Sequence, residues 1–193
     1  MANIPRIVGA PDFGKLIAPE ESLGKRLEGK RVLLTGTTKG VGRVTQELLC
    51  AQGAFVCGSG RSKGVAAEVA NELVAKGYKA AGFDVDLSDY EAVKKWVAEC
   101  AELMGGIDVV INNASHPGMA PFGEMTPDIW AYGIQNELDL VYNVCNCAWP
   151  YLIEAGGGSI VITSSTVGLQ GSNSPQACHA AAKGACLALS LSL

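Results

Sequence analysis

The 193-residue sequence lacks several features that would assign it to a class of protein at once. Its 15 basic and 19 acidic residues are scattered, without a basic block that could neutralise a phosphate backbone, so nucleic acid is not an expected partner. No apolar run is long enough to span a bilayer. Pro5, Pro11, Asp12 and Pro19 interrupt the N-terminal stretch, unlike a secretory signal. We therefore expect a soluble protein that is neither membrane-bound nor exported.

Cysteine pairs with the spacing of a zinc site or a redox motif are also missing. The seven cysteines are odd in number, and none stands in a C-x-x-C arrangement. Cys145 and Cys147 are two residues apart, which would place them on different sides of a helix. We interpret both as small core residues and expect no metal. Thiols without a disulfide pattern favour the reducing cytoplasm.

What is present, from residue 31 onwards, is a regular alternation of short apolar runs with longer helical stretches. We predict five buried strands, at Arg31–Thr35, Ala54–Gly58, Lys79–Phe83, Asp108–Asn112 and Ser159–Thr163. The crossover helices are predicted at Gly42–Gln52, Gly64–Lys76, Asp89–Met104 and Thr126–Ile153. This alternation indicates an α/β, Rossmann-type doubly wound parallel sheet. Residues 1–28 have no period and form an arm before a single domain of residues 29–193.

Two of the predicted helices have capping signals at their N-termini. Ser88, with Glu91 three residues later, forms a capping box. Thr126 precedes Pro127 and provides an N-cap with proline at the first helical position.

The segment from Thr35 to Gly42, which reads Thr-Gly-Thr-Thr-Lys-Gly-Val-Gly, follows the first strand and opens a helix. Glycines allow the backbone to approach a pyrophosphate, and a helix N-terminus supplies free amides and partial positive charge. We predict cofactor contacts from Gly36, Thr38, Lys39, Gly40, Val41 and Gly42.

The end of the second strand indicates which dinucleotide is bound. An NAD-specific unit would have an acidic residue here, about 20 positions after the turn. The sequence instead reads Ser59-Gly60-Arg61, so a 2′-phosphate meets no carboxylate and could pair with Arg61, with Lys39 as a second cation. NADP(H) is favoured and NAD(H) is the alternative. The alternative is that both cations are solvated surface charges.

From about Leu27 to Leu193 the chain resembles the short-chain dehydrogenase/reductase family, whose T-G-x-x-x-G-x-G turn is complete here. The resemblance implies hydride transfer between a nicotinamide and an alcohol or ketone, in a homo-oligomer (a dimer or tetramer). The family's N-N-A-G signature appears with Ser115 in place of its last glycine. Further cofactor contacts are implied after the third and fourth strands, at Asp84, Val85, Asn112 and Ala114.

The resemblance also implies a set of catalytic residues. Ser165 matches the serine that holds the substrate oxygen, and Lys183 matches the lysine that contacts the nicotinamide ribose. The family's Tyr-x-x-x-Lys reads His179-Ala-Ala-Ala-Lys183 here, so a histidine occupies the tyrosine position. The family's helix asparagine aligns with Glu137. Asn136 is one residue away, about 100° around a helix, and we keep it as a catalytic candidate.

His179 leaves several functions open. A neutral imidazole could accept a proton during alcohol oxidation but would be a poor proton source for reduction. The leading hypothesis is an NADP(H)-dependent oxidoreductase, and the alternative is a dinucleotide-binding protein or inactivated variant without turnover. A hydrolytic pair of Ser165 and His179 lacks both a G-x-S-x-G elbow and an evident acid partner. His179 could also simply pack on its helix.

Two features concern the substrate. His116, in the loop after the fourth strand, could line the substrate pocket or serve as a turn residue. The sequence stops at Leu193, before the family's last strands and its substrate-covering segment. We therefore expect the domain to be incomplete at its C-terminus, and the substrate to be undetermined by this sequence.

Overall fold

A computed structural model describes residues 25–193, so residues 1–24 of the predicted arm lie outside the described residues. The strands are β1 (Arg31–Thr35), β2 (Phe55–Gly60), β3 (Lys79–Asp84), β4 (Val109–Asn112) and β5 (Ser159–Ile162). The α-helices are α1 (Gly40–Ala51), α2 (Val65–Ala75), α3 (Tyr90–Met104), α4 (Pro127–Ile134), α5 (Leu140–Glu154) and α6 (Ala177–Ser190). Short 3-10 turns lie at Phe122–Glu124 and Thr166–Gly168.

The five strands form one parallel sheet in the order β3-β2-β1-β4-β5. β1 lies at the centre, where Leu33 pairs with Cys57 of β2 on one side and with Val110 of β4 on the other. Because the direction of winding changes between β1 and β4, the carboxyl ends of these strands leave a crevice that helices do not cover. The predicted doubly wound α/β fold is confirmed.

Side chains of the central strand alternate between two hydrophobic layers. Leu33 lies in the larger cluster, with Trp96 of α3 and Val144 of α5, while Val32 and Leu34 lie in a smaller cluster on the other face. A parallel sheet covered on both faces requires such apolar strands, which is why they read as continuous apolar runs in the sequence. Within residues 25–193, no helix is long and apolar enough to cross a membrane.

The longest predicted helix, Thr126–Ile153, is one helical path with a change of pitch. Thr126 is its N-cap as predicted, since its side chain accepts a hydrogen bond from Ile129 N at 3.3 Å. Between α4 and α5 the residues Gln135–Asp139 form a π-helical turn. Sequence periodicity does not signal such a turn, and π-turns occur often at functional sites.

The start of α3 differs from the prediction by one residue. The capping box at Ser88 is wrong: the N-cap is Asp89, whose carboxylate accepts hydrogen bonds from the backbone N–H groups of Glu91 and Ala92. A carboxylate is favoured at this position because it also interacts with the positive end of the helix dipole. Ser88 instead donates its hydroxyl proton to Asp86 at 2.7 Å.

An ion pair joins two neighbouring strands at their amino ends, on the side of the sheet away from the crevice. Arg31, at the start of β1, donates from Nε and Nη2 to the two carboxylate oxygens of Asp108 at 2.9 and 2.7 Å. These charge-assisted bonds lower the pKa of Asp108 below its usual value. The pair joins the start of β1 to the residue before β4. It therefore holds the two strands that border the crevice in register at their amino ends.

Candidate active site

The β1–α1 turn is shaped by glycines and braced by one asparagine. Gly36 and Gly40 have φ values of +76° and +56°, in the left-handed region that favours glycine. Asn113 Nδ2 donates to the carbonyl oxygens of Thr35 at 3.0 Å and Gly36 at 3.3 Å. The N-cap of α1, Lys39, makes no side-chain capping bond. The first amides of α1 are therefore available to an anion.

A cleft with a volume of about 340 Å³ lies over this turn at the carboxyl ends of the strands. Its walls include eight residues that the sequence assigned to the cofactor or to catalysis: Gly36, Thr38, Lys39, Gly40, Arg61, Val85, Ala114 and Asn136. The turn, the end of β2 and the loops after β3 and β4 all contribute to it. Segments distant in sequence thus line one cavity, because the strands are parallel and their carboxyl ends lie at the same end of the sheet.

Five other predicted cofactor residues do not line this cleft, and one of them, Lys183, lies in the polar cluster around Glu137. Gly42 is buried beneath the turn and Val41 is 73% exposed. Asp84 accepts a hydrogen bond from Gly64 N at 2.8 Å, and Asn112 donates to Cys145 Sγ at 3.2 Å inside the core. The side chain of Asn112 is thus in the core, whereas Asp84 is exposed and holds the backbone of Gly64. The direct cofactor contacts expected of these two residues stay predictions.

Asp86 and Leu87 line the cleft in the place expected for Asp84. The side-chain and backbone hydrogen bonds that Ser88 donates lower the pKa of Asp86, and the Arg61 guanidinium lowers it further. The carboxylate therefore stays ionised inside the cleft. The sequence contains a signal for this position. An N-cap at Asp89 means that α3 starts there, so the residues just before it, Asp86 to Ser88, form the loop after β3 that faces the cleft.

His179, on α6, contacts a buried acid. Its Nδ1 lies 2.8 and 2.9 Å from the two carboxylate oxygens of Glu137, whose side chain is completely buried. Lys183 Nζ lies 3.9 Å from Glu137 Oε1 and donates to Thr163 O at 3.0 Å. Ser115 donates its hydroxyl proton to Glu137 Oε1 at 2.5 Å. Glu137 is thus the centre of the polar cluster at this end of the cleft.

The π-turn gives Asn136 and Glu137 different surroundings. Both side chains are buried, but Asn136 Nδ2 donates to Tyr132 O at 2.9 Å, and its Oδ1 accepts a bond from Arg61 at 3.5 Å. Asn136 therefore borders the cofactor cleft and does not contact His179. Of Asn136 and Glu137, it is Glu137 that contacts His179. Glu137 is also the residue that aligns with the family's helix asparagine, whereas Asn136 was the catalytic candidate that we kept.

The remaining predicted residues lie in loops beside α6 and α4. Ser165 Oγ accepts a hydrogen bond from Val167 N at 3.4 Å and caps a 3-10 turn. The neighbouring Ser164 donates to Lys183 O at 2.8 Å, which ties the end of β5 to α6. His116 lines the cleft, and its Nδ1 is 3.0 Å from Tyr132 Oη.

The sequence shows no evident acid partner for a hydrolytic pair of Ser165 and His179, but the structure does. Glu137 is such a partner for His179. Within residues 25–193, however, Ser165 makes its hydrogen bond to backbone and not to His179. A nucleophile activated by histidine requires that bond, so the geometry does not favour hydrolysis.

Comparison with known proteins agrees with this architecture. A family model described as short chain dehydrogenase matches residues 30–193. This chain belongs to the short chain dehydrogenase family. The solved structure of a short chain dehydrogenase from Mycobacterium smegmatis is 29% identical, with a TM-score of 0.81, and the match covers 86% of this chain and 68% of that one. A putative short-chain alcohol dehydrogenase from Sinorhizobium meliloti is 25% identical, with a TM-score of 0.80 and coverages of 86% and 65%.

Curated relatives within this family include two reductases. The 3-oxoacyl-(acyl-carrier-protein) reductase of Thermotoga maritima is 34% identical over 158 residues, which cover 82% of this chain and 64% of the relative. The enzyme of the same name from Vibrio harveyi is 32% identical, with coverages of 81% and 63%. The chain therefore spans just under two thirds of the length of these two reductases.

Proposed function

We propose that this protein is an NADP(H)-dependent oxidoreductase that interconverts an alcohol and a ketone. The observation that carries the proposal is the glycine-walled cleft at the carboxyl ends of the strands, which adjoins the cluster of His179, Lys183 and Glu137. The two relatives described above are named as reductases of 3-oxoacyl groups, which are ketones. This supports a carbonyl or alcohol as the reacting group.

The residues of the cleft fit a dinucleotide. A Cβ at Gly36 would lie 3.0 Å from both Ala114 Cα and Asn113 Nδ2, so Gly36 packs closely against the loop after β4 and leaves no room for a side chain. Together with the free amides of α1, this makes a cradle for a pyrophosphate. A bound nicotinamide would supply or accept the hydride. Lys183 would hold its ribose, Ser165 the substrate oxygen, and His179 would exchange the proton.

The preference for NADP(H) rests on Arg61. The residue lies at the cleft directly after β2, and the strand position before it is Gly60, which has no carboxylate to repel a 2′-phosphate. A guanidinium can bind a phosphate through two parallel hydrogen bonds. Arg61 now faces Asp86 and Asn136, so a 2′-phosphate would have to displace these weaker contacts.

Turnover is the direct test of the proposal. Purified protein, mixed with NADP⁺ and a panel of secondary alcohols, or with NADPH and ketones, is expected to change the nicotinamide absorbance. A His179→Phe variant is the control, because phenylalanine keeps the ring and removes both nitrogens. The proposal is overturned if no substrate gives a change with either the natural protein or a His179→Tyr variant.

The Arg61→Ala variant tests the cofactor preference. Its dissociation constant for NADPH is expected to rise about tenfold, equivalent to about 1.4 kcal/mol, while binding of NADH changes much less. Isothermal calorimetry measures both constants. Lys63→Ala, an exposed cation two positions along and outside the cleft, is the matched control. Equal weakening of both cofactors would contradict a 2′-phosphate contact.

A second candidate function is cofactor binding without turnover. It is favoured by the hydrogen bond of Ser165 to its own turn and by the histidine at the tyrosine position. Tight NADPH binding in calorimetry, with no product from any substrate, would support this candidate. Measurable turnover excludes it.

Assembly and location are also proposals. Tyr142, Trp149 and Ile153 of α5 are 52%, 39% and 62% exposed, and such an apolar helix face supports a homo-oligomer. All seven cysteines are free and buried, which supports a reducing cytoplasm.

A further inference from the structure

Three positions at which the chain departs from the family pattern contact one another. Ser115 replaces the last glycine of N-N-A-G, Glu137 replaces the helix asparagine, and His179 replaces the tyrosine. Glu137 Oε1 accepts a hydrogen bond from Ser115 Oγ at 2.5 Å and lies 2.8 Å from His179 Nδ1. These residues come from a loop, a π-turn and α6. Three unrelated changes in three separate segments would not be expected to meet in one hydrogen-bonded cluster.

The buried charges beside His179 are paired. Glu137 and Lys183 are both buried and carry opposite charges, so together they are neutral. The thiols of Cys178 and Cys186 also border Glu137. Burial raises the pKa of both thiols, and the Glu137 carboxylate acts in the same direction. Lys183 acts against it at Cys186, but the pKa of that thiol is still raised, so neither thiol adds a negative charge. The buried charges of Glu137 and Lys183 therefore offset one another, which lowers the cost of burying them.

We propose that Glu137 is a positioning residue that holds His179 with its proton on Nδ1 and leaves Nε2 to exchange a proton with the substrate. An ionised carboxylate only accepts hydrogen bonds, so Nδ1 must be the donor of this pair. In the described residues Nε2 makes no hydrogen bond, and it is not among the fully buried polar atoms without a partner. With 17% of its side chain exposed, His179 presents Nε2 to the outside of the cluster.

The catalytic role of this pair rests on the proposed function. In alcohol oxidation Nε2 would accept the substrate hydroxyl proton, and a bound oxidised nicotinamide would supply the acceptor for the carbinol hydride. The products would be a ketone and an imidazolium beside Glu137. Release of the proton to solvent restores the neutral ring, and reduction is the reverse. A carboxylate at Nδ1 stabilises the imidazolium. The pair can therefore donate as well as accept a proton, unlike the isolated imidazole expected from the sequence.

The tautomer can be measured by nitrogen NMR on the intact protein without cofactor or substrate. The chain contains two histidines, His116 and His179, so ¹⁵N-histidine labelling gives two sets of ring signals, and His179→Phe assigns them. Above the pH at which His179 loses its second proton, we expect Nδ1 to carry the remaining proton. A proton on Nε2 in this state overturns the inference.

A Glu137→Gln variant tests the cause. The amide can donate as well as accept, so the His179 population is expected to shift towards the Nε2–H form, while His116 signals stay unchanged. An unchanged His179 tautomer overturns the inference. If Glu137→Gln does not fold, Ser115→Ala, which removes only the hydroxyl that orients the carboxylate, is expected to shift the same signals, and the absence of any shift counts against the proposal.

Kinetics separate positioning from a purely structural role. Glu137→Gln is expected to lower kcat by roughly 10²- to 10⁴-fold and to move its pH profile, with KM for NADPH little changed, and Glu137→Asp should recover part of the rate. An unaltered pH profile overturns the role.

Failure of the inference and failure of the proposed function are distinguishable. A protein without turnover can still show Nδ1–H, and an active protein that shows Nε2–H refutes the inference alone.

Discussion

A Gly42→Ala variant is expected to lose NADPH binding by more than about 100-fold, equivalent to roughly 2.7 kcal/mol. A Cβ at this position would lie 2.5 Å from Asn113 Nδ2 and closer still to the carbonyl oxygen of Gly36. Both atoms belong to the brace that shapes the cofactor turn, and Asn113 cannot withdraw without losing its bonds to Thr35 and Gly36. The turn would therefore move away from the position that a pyrophosphate requires.

Helix propensity alone predicts that Gly42→Ala stabilises the protein, whereas the steric argument predicts that it destabilises it. Alanine is favoured over glycine inside a helix by about 0.8–1 kcal/mol, whereas overpacking costs about 1–3 kcal/mol. Loss of stability in urea unfolding, together with loss of binding in calorimetry, is the expected combination. Gly123→Ala is the control, since a Cβ there has nothing within 4 Å and both properties should be unchanged. A stabilised Gly42→Ala variant with normal binding would refute the steric argument.

Replacement of Glu137 by leucine is expected to destabilise the protein by about 3–5 kcal/mol, because it leaves Lys183 as a buried cation without a counter-charge. The lysine side chain is 4% exposed, and its one remaining polar contact in the described residues would be Thr163 O. Urea unfolding monitored by circular dichroism measures the change. Glu72→Leu, which removes an exposed acid paired with Arg43, is the control and should change stability by about 0.5 kcal/mol or less.

A second replacement should rescue the first. In a Glu137→Leu/Lys183→Met variant both charges are absent, so most of the lost stability is expected to return, since replacing a buried pair by apolar residues is often neutral or favourable. The double variant would be catalytically inert, because Lys183 is gone. If it is less stable than Glu137→Leu alone, the two residues do not compensate one another in the fold.

The fold was predictable because its signals are local. Five apolar runs separated by helical stretches require a parallel sheet covered on both faces, and Thr126 with Pro127 marks a helix start that the structure confirms. The predictions were less accurate at the ends of elements. Asp89 caps α3 in place of Ser88, and β2 runs to Gly60, two residues beyond the predicted end.

The cofactor cleft was predictable in part. Residues of the turn itself lie where the glycine pattern places them, because Gly36, Gly40 and Gly42 constrain a short segment of backbone. Residues after β3 and β4 were less predictable, since their side chains alternate in direction and a shift of one or two positions turns them away. Asp84 accepts a hydrogen bond from Gly64 N before α2, while Asp86 lines the cleft. Asn112 is in the core, while Asn113 donates to the carbonyl oxygens of the turn.

By itself the sequence determined the family, the order of elements and the residues that differ from the family pattern, because each of these is a property of consecutive or regularly spaced residues. Only the tertiary structure decided that Ser115, Glu137 and His179 meet. The physical reason is the π-turn at Gln135–Asp139, which sets the direction of Glu137, and the packing of α6, which sets that of His179. Hydrogen bonds between residues 22 and 42 positions apart leave no mark on local periodicity.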